Sequence, residues 1–591
     1  MRFLIVLLLF STMCTFAQDD IVAREYFKNG EFEKALISYR NLVEKNKNNP
    51  SYIIQLIKTH QQLEQFQEAK TLIEEQLSKR NYSPLLIELG YNYSLQNDTI
   101  NSKLNYDKAI KSIEDNANYA YAIGRRFESL SLLDQAIETY EKAMSLKPDL
   151  NFNMQLARIY GEQGDIEKMF NSYINFSEIN LSYINNIKRE FSTFISENSA
   201  NENNIILKRI LLKKIQTHPN LLWNEMLSWL FIQQKDYKKA FIQEKAIYKR
   251  ELATLDRVEE LAMIAYNNEK FDTAKGIFQF IIENSQDIDT KIDAHYNSIK
   301  IEVELASKKD YDVINDKFLN IINEYGQYAN TINIQIAHAH FLAFNLDDTD
   351  KAIALLKESL TLNLSNFHLA KIKLELGDIL VLEEKFNEAL IYYTQIQRSL
   401  KNSTLSQEAR FKVAKTSYYK GDFKWAESQL KILKSSTSQL TANDALDLKL
   451  LISDNKLDDS LQVALKSYAK ADLLAFQNKK DEAIAMLGTI LENHKTEAII
   501  PQTLLKQAQL FETLQEFEKA KDNYEKLIDN YKEGILIDDA LFALAELYSD
   551  ELALPEKAKT LYETILFNHA DSIYFVEARK KFRALRGDAI N

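Results

Sequence analysis

Along most of this chain, apolar side chains recur every three to four positions, broken at regular intervals by short polar stretches, so it predicts short amphipathic helices joined by tight turns. A second, longer period is laid over the first. Small or compact residues recur at Ala35, Ala69, Ser102, Ala136 and Met169, at steps of 34, 33, 34 and 33. Twelve residues before each stands Ala23, Ile57, Gly90, Gly124 or Ala157, followed three positions on by Tyr26, His60, Tyr93, Phe127 and Tyr160. Four residues after each recurring position comes Tyr39, Ile73, Tyr106, Tyr140 or Tyr173. A fixed spacing of small and aromatic positions suits pairs of helices: the small residues permit close approach, and the aromatics fill the space between successive pairs.

The period weakens and then lengthens. Residues 177–222 keep helical apolar spacing without the small/aromatic signature, and Glu197–Asn201 reads as a loop, so the segment is taken as a degenerate helical spacer. The signature returns irregularly over 223–345, with Trp223, Leu227, Phe231, Tyr237 and Ala240, then Ala262, Phe271, Ala274 and Phe278. From Ala352 the step becomes 37, through Ala389 and Ala426, and again from Ala483 to Ala520, before a step of 38 to Ala558. The 57-residue gap between Ala426 and Ala483 leaves room for one extra helix near Thr441–Ser453, with Thr441-x-x-Asp444 as its expected cap. The expected blocks are therefore 18–176, 177–222, 223–345 and 346–591.

Composition sharpens the all-α reading. The 591 residues include 12 Gly and 6 Pro, too few for turn-rich β architectures or phosphate-cradling loops. The net charge of −12, from 73 Lys+Arg against 85 Asp+Glu, argues against a nucleic-acid partner. At the N-terminus, Arg2, the apolar run Phe3–Phe10 and the small residues of Thr15-Phe16-Ala17 predict a cleaved export signal over residues 1–17. Cys14, the sole cysteine, falls within it. Ser11-Thr12-Met13 lacks the aliphatic and small residues that a lipidation signal places before its Cys, so a lipid anchor is not expected. No later stretch is apolar enough to span a bilayer, which leaves at most peripheral contact with an outer membrane.

On Gly124-x-x-Phe127, Ala136, Tyr140, Ala143 and Pro148, the chain resembles the tetratricopeptide repeat family. The resemblance implies a right-handed superhelical solenoid of helical hairpins, whose first helices line a concave groove, and a scaffold or adaptor that binds other proteins. The N-terminus looks like export signals of Bacteroidetes-type bacteria. The last third, around Tyr524-Glu525-Lys526-Leu527-Ile528, is similar to repeats of the Tol–Pal cell-division coordinator and of outer-membrane assembly proteins. What this implies is a periplasmic scaffold for envelope proteins.

Candidate chemistry is sparse. No P-loop, G-x-G-x-x-G, H-E-x-x-H or G-x-S-x-G occurs, so neither an enzyme nor a cofactor is expected. His338 and His340 stand two apart and point to different faces of a helix, which does not suit a shared metal. The residue after the small position of each first helix, expected to face the groove, reads Arg24, Lys58, Tyr91, Arg125 and Arg158, with Tyr121 one turn before Arg125. This track predicts a partner-binding groove for an acidic peptide or, alternatively, for an anionic polymer such as peptidoglycan or a glycan; the plainer reading is solvated helix charge. Later repeats carry Trp229, Met263, Asp378, Lys415, Asp472 and Gln509 at this position, so the track is not expected to continue. Arg579, Lys580, Lys581, Arg583 and Arg586, before Gly587, read as a solvating C-terminal cap.

Overall fold

The computed structural model describes residues 19–79, 82–251, 254–433, 439–456 and 462–588. The predicted export signal and Cys14 lie outside the described residues. Among those residues the secondary structure is helical, with no strand, and no helix is long and apolar enough to cross a membrane. The chain divides into two compact units, Met1–Thr254 and Leu255–Asn591. The division falls within 223–345, which the sequence pattern presents as one block.

Each unit is a row of antiparallel helix pairs, here termed helix A and helix B. In the first unit the A helices are 19–28, Pro50–Gln62, Pro84–Leu95, Ala120–Glu128 and Asn153–Glu162. Their B partners are Phe32–Lys45, Phe66–Lys79, Thr99–Lys111, Leu133–Leu146 and Ile166–Ile179. The recurring positions sit where the pattern demands: Ala23, Ala35, Ala69, Ala136, Ala157 and Met169 are buried, and so are Tyr39, Tyr106, Tyr140 and Tyr173. Gly124 shows why one of these positions is glycine. A Cβ there would overlap the Tyr140 ring, and the same holds for Gly90 under Tyr106 and Gly377 under Tyr393.

The turn from A to B repeats as closely as the core does. One residue takes a left-handed conformation, and the next N–H reaches back to a carbonyl five residues earlier, as Gln65 to His60, Asp98 to Tyr93 and Glu516 to Phe511 do at 2.9–3.0 Å. This closes the orphan carbonyls of helix A. Glycine fills this position at Gly30, Gly164 and Gly421; elsewhere Glu64, Asn97, Ser131, Glu384 and Gln515 do, which is how a glycine-poor chain makes so many tight turns.

The spacer 177–222 is packed. Helices Ile184–Ser192 and Glu202–Thr217 bury Ile187, Phe191, Leu207, Ile210 and Leu211, and Phe191 sits edge-on to Phe170 at 4.8 Å. The loop expected at Glu197–Asn201 is fastened by buried Asn204, whose Nδ2 donates to the carbonyls of Ser196 (2.7 Å) and Asn198 (2.8 Å).

In the second unit the longer period has two origins. The B helices Phe386–Ser399, Lys480–Asn493 and Phe517–Asn530 stay at 14 residues. In the steps through Ala389 and Ala426 the A helices Asn366–Leu382 and Thr404–Tyr419 grow to 17 and 16, against 13 for Pro50–Gln62. In the step from Ala483 to Ala520, by contrast, the A helix Ile500–Thr513 has 14, and the link before it, 494–499, is longer than the link 46–49. The extra helix runs Gln439–Asn455, so Thr441 lies inside it and is not its cap. It stands aside from the row of A helices: Val463–Phe476 still packs on Thr404–Tyr419. The row bends tightly enough there that Phe476 meets Phe344 edge-on at 5.6 Å, and Gln477 Nε2 donates to the Leu382 carbonyl at 2.9 Å. The final helix Phe575–Arg586 ends at Gly587 (φ +84°), as the cap reading requires. Its cations are tied to neighbours, Lys581 to Glu546 (2.9 Å) and Arg583 to Asp588 (3.5 Å) among them.

Candidate functional site: the faces of the A helices

In the first unit the predicted basic track is placed on the A helices, but its charges are spoken for. Arg24 is exposed and bonded to Asp20 of its own helix at 2.6 Å. Arg125 and Arg158, from successive A helices, converge on one carboxylate, Glu128, at 3.0 and 3.3 Å. Tyr140 OH also donates to Glu128, at 2.5 Å. Lys58 is half-buried: burial and the charge of Arg126 lower its pKa, while Glu88 opposes them. Tyr91 is half-buried, and Tyr121 is 54% exposed beside the track. The structure therefore brings Arg125 and Arg158 together, links Lys58 to Arg126 through the field of Glu88, and leaves Arg24 apart.

Glu88 and Arg126 escaped the sequence reading. Their side chains are 0% and 9% exposed and form an ion pair across helices Pro84–Leu95 and Ala120–Glu128. Burial raises the Glu88 pKa, and the charges of Arg126 and Lys58 only partly offset it. A charged pair embedded in an otherwise apolar interface signals registry between hairpins rather than a free ligand site.

The second unit carries a different pattern at the same register. Asp378 accepts from Tyr393 OH (2.6 Å) and pairs with Lys412 of the next A helix (2.5 Å). Asp472 is held between Lys415 of the preceding A helix (2.7 Å) and Lys506 of the following one (2.9 Å). Glu546 accepts from Tyr562 OH and pairs with Lys581. Carboxylates and lysines thus alternate from one A helix to the next. One local signal runs through both units. The tyrosine four residues after the small position of helix B donates to a carboxylate one or four residues after the small position of helix A, as Tyr524 does to Glu512. That spacing is visible in the sequence once the partner is known.

Beside this ladder lies a groove of about 430 Å³ on four consecutive A helices, Ile288–Leu305, Ile332–Phe344, Asn366–Leu382 and Thr404–Tyr419. Val303, Ile336, Leu374 and Leu405 form its apolar lining, and Lys300, Lys371, His340, Glu375, Asp378 and Glu408 its charges. His340 Nδ1 lies 2.8 Å from Glu375 and its ring stacks on Phe344. Burial opposes charge on that ring, yet the hydrogen bond and charge of Glu375 prevail and raise its pKa. His338, two residues away, turns into the core against Phe318, where burial lowers its pKa to about 4. The two histidines do point apart. A smaller cavity of about 260 Å³, around His295 and Ile321, is bridged by Lys317 and Glu302 at 2.6 Å. Trp229 packs near Phe191 (6.5 Å) and Met263 is 37% exposed, and neither joins the groove. Among the described residues, no cluster of three or more His, Cys, Asp or Glu could hold a metal.

Two segments of the chain match the tetratricopeptide repeat family, residues 117–150 and 502–533, one in each unit. The matched segments are tetratricopeptide-type hairpins, a class that serves protein–protein interaction, and the repeated helix pairs described above carry an all-α hairpin row through each unit. No curated protein is significantly similar to the chain. Among solved structures, it aligns with the crystal structure of the APC/C hetero-tetramer Cut9-Hcn1 at 12% identity and a TM-score of 0.23, covering 97% of this chain and 98% of that one. It also aligns with the structure of Naa15/Naa10 bound to HypK-THB at 10% identity and a TM-score of 0.30, covering 97% and 99%. Likeness this slight says nothing about role.

Proposed function

We propose that this protein is an exported, periplasmic scaffold that holds segments of other cell-envelope proteins on the faces of its A helices, without catalysing a reaction on them. The observation that carries the reading is the groove on four successive A helices, apolar in its lining and charged at its rim, set in a solenoid of tetratricopeptide-type hairpins. Export is supported by Arg2, the apolar run Phe3–Phe10 and the small residues before Gln18. Recognition of an anionic polymer draws less support, because Arg24, Arg125 and Arg158 already have carboxylate partners. Crosslinking in intact cells, followed by mass spectrometry of the purified protein, tests the proposal. Specific envelope proteins crosslinked to peptides of residues 288–419 are the expected result; recovery of none above background would overturn it.

A further inference from the structure

The groove of the second unit has one charge left over. Each other charged group on its wall is engaged: Glu375 with His340, Asp378 with Lys412 and Tyr393, and Lys371 with Asn333 (3.1 Å) and the Phe367 ring (5.0 Å). Lys300 sits 5.1 Å over the Tyr266 ring. Glu408 alone on this wall, half-buried on helix Thr404–Tyr419, makes no hydrogen bond or ion pair among the described residues. The charge that stabilises it most is that of Lys412, which is bonded to Asp378, and Asp378 itself repels it. Burial correspondingly raises the Glu408 pKa. A carboxylate half-withdrawn from water without a partner gains from an incoming cation, whereas an incoming anion would compete with contacts that both lysines already make. The neighbouring lining is apolar, through Leu405, Leu374, Ile336 and Val303, and the volume lies within the roughly 300–1,000 Å³ of ligand-holding clefts.

We propose that this groove takes a peptide segment of a protein partner in which an arginine or lysine is flanked by aliphatic side chains, the cation bonding to Glu408 and the aliphatic groups covering Leu374, Leu405 and Ile336. This deepens the scaffold reading and rests on it. It specifies which surface is used and the chemistry of what it recognises.

The test is fluorescence anisotropy with the full chain and a short fluorescein-labelled peptide holding one arginine among leucines and valines, beside a peptide with glutamate in place of the arginine. The arginine peptide should bind and the glutamate peptide should bind at least about tenfold more weakly. Glu408→Lys should weaken the arginine peptide by about tenfold or more and narrow the preference, Glu408→Gln by a smaller factor, with unchanged melting temperature for the latter. Glu556→Lys, at an 85% exposed side chain in the same unit, should leave binding as it was. Equal affinity for both peptides, no binding of either, or indifference to Glu408→Gln and Glu408→Lys would overturn the inference. If cellular crosslinks to envelope proteins persist undiminished in the Glu408→Lys variant, the scaffold stands and this groove falls; if they are absent from the wild type as well, the scaffold falls.

Discussion

Glu88 in the first unit and Asp472 in the second are both buried carboxylates on A helices, and they behave in opposite ways. Glu88 has one close cation, Arg126, and its pKa is raised because burial outweighs the compensation. Asp472, 11% exposed, is flanked by Lys415 and Lys506; burial works against its charge, yet two cations prevail and its pKa is lowered. The lesson is that the sign of a buried group's contribution depends on how many partners reach it, not on burial alone. The same contrast extends over the faces of the A helices. The first unit places cations at one register and answers them with carboxylates elsewhere, whereas the second alternates signs from helix to helix.

The contrast can be broken most forcefully at Arg126. Arg126→Ala strands Glu88 without its partner and should destabilise the first unit by about 3–5 kcal/mol, whereas Glu88→Leu with Arg126→Leu should recover most of that. Thermal melts of the three proteins check it, and a single variant as stable as wild type would remove the pair from the account. Gly124→Ala and Gly377→Ala come next. Each drives a Cβ into a tyrosine ring and should cost about 1–3 kcal/mol, equally in both units if hairpin packing is shared.

The pH dependences separate the two carboxylates. A lowered pKa means that Asp472 stabilises the fold above the ordinary aspartate range, near pH 4, and loses that contribution as pH falls through its depressed folded value. Asp472→Asn should therefore lower stability by about 1–3 kcal/mol at neutral pH and flatten the acid limb of the second unit. A raised pKa has the reverse effect: Glu88 favours the fold when protonated, and stability drops as pH rises from the ordinary glutamate range, near pH 4, through its folded value. Urea titrations at a series of pH values would expose both slopes, and parallel slopes in Asp472→Asn and wild type would contradict the comparison. The smallest effect is expected at the A–B turns. Gln515→Gly relieves a left-handed residue while loosening the unfolded chain, so a gain below about 1 kcal/mol is expected.

Much of the fold could be read from residues alone, because the hairpin is a local object. The steps from Ala35 to Met169 mark buried contacts, and the change to a step of 37 marks longer A helices in its first repeats and longer links between B and A helices in its last. The extra helix was legible in existence but not in its start, since several Ser and Thr residues precede it and each could serve as a cap. The site was less legible. The register of Arg24, Lys58, Arg125 and Arg158 followed from the period, and Glu128 stands at i+3 to Arg125. Yet nothing local says that Arg158 reaches the same carboxylate or that Glu88 meets Arg126, because both pairs join successive A helices.

The sequence by itself determined helix pairs, their spacing and the small and aromatic positions at which they nest, since these follow from interactions within about three dozen residues. Only the tertiary structure decided which charges meet. Asp472 finds Lys415 across an inserted helix, and Glu408 is left facing a groove, because both outcomes depend on how successive pairs stack and bend. Coulomb and desolvation energies respond to that distance and burial, not to order along the chain.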